Sequence, residues 1–133
     1  MRTLSSFVLA GLMAAVPLAA HHSFTAEYDE SKPVKVTGVV TKIEWTNPHV
    51  WFFIDVKDES GQVSNWGFSG APPGVLMRRG ITKDALKLGD VVKVEGYRAR
   101  DGSNNGSGGV VTFTDGRKVF TASAEDQIPK DSK

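Results

Sequence analysis

Residues 34–58 read VKVTGVVTKIEWTNPHVWFFIDVKD, and two strand-like runs in this stretch meet at Asn47-Pro48. In the second run Val50, Phe52, Ile54 and Val56 alternate with Trp51, Phe53, Asp55 and Lys57. A period of two sends successive side chains to opposite faces, so this is a half-buried strand whose outer face begins with two aromatics. In the first run Val34 and Val36 share one parity and Val39, Ile43 and Trp45 the other, with Gly38 between them. A strand exchanges faces only where its alternation breaks, and an interior glycine commonly marks a bulge or bend. The first strand is therefore predicted to be long and bent at Gly38.

Working toward the C-terminus, Glu59-Ser60-Gly61 suits a hairpin leading into VSNWGFSG (63–70), where Trp66 and Phe68 alternate with Asn65 and Gly67. These three strands form a meander. Then the period changes. Pro72 and Pro73 suit a helix's first turn, Val75, Leu76 and Met77 give an apolar stripe, Arg78 and Arg79 sit at the negative end, and Gly80 suits the stop. Thr82 is expected to cap a further turn through Leu86. A fourth strand is read over VVKVEGYRA (91–99), and VVTFT (110–114), Asp115-Gly116 and RKVFT (117–121) form a closing hairpin. The Gly-rich 100–109 reads as a flexible loop, since no helix pattern follows to make it a phosphate cradle.

That order defines the expected fold class: all-β with one short helix, a small OB-like five-stranded Greek-key barrel plus a C-terminal extra strand. Another small antiparallel barrel or a two-sheet sandwich fits the same periodicity. The expected organisation is an export signal over 1–20, an N-terminal arm over 21–33, the barrel over 34–122 and a flexible tail over 123–133.

The export signal is read from MRTLSSFVLAGLMAAVPLAA: an early Arg2, an apolar run from Phe7 to Val16, a breaker at Pro17 and small residues at Ala19 and Ala20. The run is shorter than the roughly 20 residues a bilayer requires, which argues against a membrane anchor. Cleavage after Ala20 places Leu18 at the tolerant third position and would make His21 the first residue. A periplasmic or secreted protein follows as the expectation. Cysteine is absent, which excludes disulfides and a lipidation site on cysteine. Loss of residues 1–20 removes only Arg2 from 16 cations, leaving them equal to the 15 anions. A near-neutral chain lacks the field that draws proteins to nucleic acid or anionic lipid.

HHSF at 21–24, SKPVKVTGVVTKIEWTNPHVWFFIDV at 31–56, GYRARDGS at 96–103 and DGRKVF at 115–120 resemble a family of small exported bacterial proteins classed as a domain of unknown function. The distinguishing motifs are HHSF and TNPHxW. The resemblance implies export and a small β-rich domain, and it brings no activity with it.

The three histidines of the chain are His21, His22 and His49. If processing frees the His21 amine, amine and imidazole can chelate one metal ion, with His22 or His49 adding a nitrogen. Nitrogen donors of this kind favour Cu(II), which makes copper the expected cofactor of a metal-binding function. The competing reading leaves His21 and His22 in a disordered arm and gives His49 a structural hydrogen bond or packing beside Trp51. Trp45, Trp51 and Trp66, with Phe53, could instead form a ligand-stacking platform or dock a periplasmic protein partner, although aromatics in so small a domain are mostly core. Arg78, Arg79, Arg98, Arg100, Arg117 and Lys118 read as a solvated face interleaved with acids. No Cys nucleophile, G-x-S-x-G or H-E-x-x-H motif is present, so the expectation is a binding protein rather than an enzyme.

Overall fold

A computed structural model describes residues 23–132. The export signal read over 1–20, and with it His21 and His22, lies outside the described residues. Seven strands follow: β1 (Tyr28–Glu44), β2 (Trp51–Lys57), β3 (Val63–Ser69), β4 (Val91–Ala99), β5 (Asn105–Ser107), β6 (Val110–Phe113) and β7 (Lys118–Phe120). The helical residues 23–27 are here α1, and Pro73–Arg78 is α2.

The length of β1 closes the molecule on itself. It pairs antiparallel with β4 from Tyr28 to Val39 and with β2 from Val39 to Glu44, so one strand serves both sides of the barrel. β1, β2 and β3 form the meander, β5 runs parallel to β3, and β5 meets β4 at Arg98 and Gly106. β6 continues along β4, so β5 and β6 act as one interrupted fifth strand, and β7 bonds to β6 outside the barrel. The fold is a closed five-stranded barrel with one extra outer strand and only short helices. Closure through β1–β4 excludes the two-sheet sandwich.

The face change in β1 occurs later than Gly38. Val34, Gly38 and Val40 are buried in one alternation while Val39 is 41% exposed, and the register slips between Val40 and Lys42. Gly38 serves close packing instead. A Cβ there would lie 2.3 Å from the Asp55 carbonyl oxygen, so its bare backbone is what lets β2 approach. Phe52, Ile54, Phe68, Val92, Val94 and Val111 fill the interior with Val34 and Val40. Phe68 has no exposed surface and stacks on Phe52 at 5.6 Å and on Trp66 at 6.1 Å. Burying side chains of this size contributes about 1.5–3 kcal/mol each.

α2 begins where Pro73 needs no amide donor and ends before Gly80, whose φ of 78° suits a chain reversal. Leu76 is the face it buries, against Val50 and Ala71 at one end of the barrel. A further turn follows at Thr82, as its position suggests, closed by Ala85 N–H donating to the Thr82 carbonyl. Three other expectations change. The arm is regular structure from residue 23 onward, because Phe24 and Tyr28 bury themselves against Tyr97. The Gly-rich loop contains β5, whose glycine lets β3 and β4 come close: a Cβ on Gly106 would meet the Phe68 ring at 3.0 Å. The tail forms short 3-10 turns at Glu125–Gln127 and Lys130–Ser132 and is anchored by Ile128 packing on Val110 and Ala122.

Two turns and the irregular start of β1 share the pattern Asp-x-Ser: Asp58 with Ser60, Asp101 with Ser103 and Asp29 with Ser31. Each carboxylate accepts from the serine hydroxyl and amide two residues on, an arrangement that recurs in turns. At the β2–β3 hairpin, Ser60 Oγ donates to Asp58 at 2.6 Å, and the amides of Ser60 and Gln62 donate at 2.9 Å. These bonds favour the ionised acid, the Ser60 hydroxyl most, and hold Asp58 below the usual 3.8. A depressed folded-state pKa adds stability above the unfolded value that is lost as pH falls through the folded one. Ser60→Ala is therefore expected to move the Asp58 carboxyl midpoint upward toward 3.8 in an NMR titration, leaving Asp29 and Asp101 where they were. An unchanged Asp58 midpoint would show that the hydroxyl contributes nothing.

Candidate functional site

α1 is seated from two directions. Phe24 and Tyr28, four residues apart and so on one helical face, stack at 5.2 Å, and Phe24 meets Tyr97 edge-on at 6.3 Å. Past the end of β4, Arg100 N–H donates to the Glu27 carbonyl at 2.8 Å and the Arg100 guanidinium donates to the Thr25 carbonyl. Opposite α1, the chain leaving β7 is held by Arg79 at the end of α2. Its guanidinium donates to the carbonyls of Ala122 at 2.6 Å and Ser123 at 3.0 Å. Residues 23–27 and 122–127 thus come to one place.

Between them lies a cleft of about 210 Å³. Ser23, Phe24 and Glu27 form one wall, Ala122, Ser123 and Gln127 the other, and the ends of β3 and β5 form the floor. The floor is a backbone crossing. Gly70 N–H donates to Val50, Ala71 N–H to Thr121, and Gly108 N–H to Ser69, each at 2.7 Å. There the Tyr28 hydroxyl makes a short hydrogen bond with Ser69. Burial raises the Tyr28 phenol above its ordinary 10.0, against the lowering effect of Ser69 and with help from the Glu27 carboxylate, so near neutral pH it is a hydroxyl.

His49 stands on the rim of this cleft, just ahead of β2. Its Nδ1 lies 3.0 Å from the Gly70 carbonyl oxygen. A carbonyl only accepts, so Nδ1 carries the hydrogen, and in the neutral ring Nε2 keeps its lone pair. A tautomer fixed through one ring nitrogen is how proteins commonly prepare a histidine to bind a metal through the other. The structural hydrogen bond weighed against a metal role and the metal role itself are therefore compatible in one side chain. His21 and His22 belong to the undescribed segment joined to Ser23. Among the described residues, no group of three or more metal-ligating side chains occurs.

The three tryptophans do not share a face. Trp45 packs beside Val50 and Leu76, at the barrel end covered by α2. Trp66 stacks on Phe68, packs against the interior and is covered by the Arg98 guanidinium, 5.3 Å from its ring. Trp51 is on the outer face, stacked on Phe53 at 6.2 Å and opposite Ser69 in the ladder. Three of the arginines serve as clamps, Arg98 holding the carbonyls of Gly102 and Ser103 much as Arg79 and Arg100 hold the two walls of the cleft.

Residues that sequence reasoning passed over include Glu27, Tyr28 and the tail. The i, i+4 spacing of Phe24 and Tyr28 was a readable sign that the supposed arm is a helix with a buried face. Ser123 and Gln127 carry no such sign, since only the tertiary path of the tail brings them to the cleft.

The chain folds as a small closed β-barrel with a cleft on its surface. The chain belongs to the family of unknown function DUF6152, whose model matches residues 10–108, well over half of its length. No curated protein matches the sequence. Among the described residues, no helix is long and apolar enough to cross a membrane.

Proposed function

We propose that the exported, processed protein is a non-enzymatic binding protein that holds copper(II) at the cleft rim, through the amine and imidazole of His21 with His49 or His22 adding nitrogen. The supporting observation is that Ser23 and His49 line one cleft although 26 positions separate them in the chain. Two residues of chain span at most about 7 Å, so a chain beginning at His21 keeps its amine within that length of Ser23, on the cleft that His49 also lines. The free Nε2 of His49, a chelating amine and a second imidazole are borderline nitrogen donors, for which Cu(II) stands highest among the divalent ions.

Ligation needs unprotonated nitrogens. An amine ordinarily titrates near 8 and imidazole near 6.5, so binding should weaken progressively as pH falls through that range. Protein beginning at His21 is expected to take up one equivalent of Cu(II), and both a chain lacking residues 21–24 and His49→Ala are expected to bind about 10-fold or more weakly. Equal affinity of all three proteins in a calorimetric Cu(II) titration removes the proposal.

A second reading, docking of another periplasmic protein, is favoured by the outer stack of Trp51 and Phe53 with Lys42 5.2 Å over the Phe53 ring. It requires a stoichiometric partner that co-purifies regardless of chelator.

A further inference from the structure

Ser69 and Ser107 are register partners on the parallel strands β3 and β5, so their side chains leave the sheet next to each other on one face. Tyr28 joins them from β1, its hydroxyl bonded to Ser69 Oγ. A row of three hydroxyls therefore runs along the cleft floor, on backbone held by Gly108 N–H donating to the Ser69 carbonyl at 2.7 Å. The row has more hydrogens than acceptors. Tyr28 and Ser69 spend one hydrogen in their bond, and the second stays available to donate. Ser107 Oγ accepts from Tyr97 N–H at 2.9 Å, and its own hydrogen meets no acceptor among the described residues although Ser107 is only 4% exposed.

The rest of the lining selects the ligand's charge. No Lys or Arg lines the cleft, and the one carboxylate that does, Glu27, is exposed. An anion would meet a like charge there, and a cation would find a single acid that water screens. Affinity has to come from neutral groups. Phe24 lines one wall and Ala122 the other, so the slot offers apolar sides above a hydroxyl floor. Its volume of about 210 Å³ is below the roughly 300–1,000 Å³ of sites for drug-sized ligands, which restricts the occupant to one small ring.

We infer that this cleft is a saccharide subsite taking one neutral pyranose ring. A pyranose carries hydroxyls around its edge and C–H groups on its faces, matching the floor and the walls. Its oxygens accept the spare hydrogens of Ser107 and of the Tyr28–Ser69 pair, and its own hydroxyls donate to Glu27. The inference is independent of copper and uses no residue ahead of Ser23.

The test is an amide-resolved NMR titration of protein beginning at His21, stripped of metal with EDTA. The probes are methyl α-D-glucopyranoside and N-acetyl-D-glucosamine, with glycine, acetate and cyclohexanol alongside. At least one sugar is expected to bind with a dissociation constant of about 1 mM, ordinary for about a dozen heavy atoms, and to shift Ser69 and Ser107. Cyclohexanol, a ring without the extra hydroxyls, should bind at least about 10-fold more weakly. Ser123→Leu fills the cleft from its exposed tail wall and should weaken sugar binding at least about 10-fold, whereas Glu30→Gln, outside the cleft, should match wild type. Equal melting of the variants separates blockage from misfolding. The inference is overturned if neither sugar shifts the floor, if glycine, acetate or cyclohexanol binds as well as the sugars, or if Ser123→Leu binds like wild type. With metal absent throughout, each result stands apart from that of the Cu(II) titration.

Discussion

Gly96→Ala is expected to destabilise the barrel by about 3 kcal/mol or more, at or beyond the upper end of ordinary overpacking and a large part of the 5–15 kcal/mol typical of a domain. A Cβ at this position of β4 would lie 1.7 Å from the Ser107 carbonyl oxygen and 2.8 Å from its carbon. Both are backbone atoms, so no rotamer can relieve the overlap. The strands would have to part where β5 joins β4, breaking the bond in which Tyr97 N–H donates to Ser107 Oγ at 2.9 Å. Gly61→Ala is the matched control. Gly61 has a φ of 85° but nothing within 4 Å of the added carbon, so only the backbone cost of about 1–2 kcal/mol applies. Urea unfolding of the two variants should separate them clearly. A Gly96→Ala protein within about 1 kcal/mol of wild type would mean that β5 does not close the barrel at this point.

Acetylating the amine of a chain that begins at His21 is expected to lower Cu(II) affinity about 100-fold or more, above the 10–100-fold typical of losing a partner outside the coordination sphere. The change turns the His21 amine into an amide, which is no base near neutral pH, and so removes one ligand and opens the chelate ring. Every imidazole remains. A loose cluster of histidines would bind such a chain as well as the unacetylated one, so unaltered affinity by calorimetry would eliminate the amine as a ligand.

Much of the barrel was readable because its strands bury alternate apolar side chains. β2 needed only Phe52 and Ile54 facing in and Trp51 and Phe53 facing out, and each is so placed. Where pairing depends on backbone, that signal fails. β5 is Asn-Gly-Ser, whose value lies in lacking bulk beside Phe68 and Gly96, and local composition made it a loop. Gly38 misled for a related reason: a glycine marks close approach as readily as a bulge, and the slip falls between Val40 and Lys42. At the site, His49 stood out by rarity, but its hydrogen bond to Gly70 spans two strands and leaves no trace in spacing.

Ser23 and Gln127 facing each other across one cleft also fixes an order of events. Synthesis delivers the first of these residues long before the second, so a partly made chain carries half a receptacle and cannot close it. The recess comes into being only once residues 122–127 have been made and folded against the helix that carries Ser23.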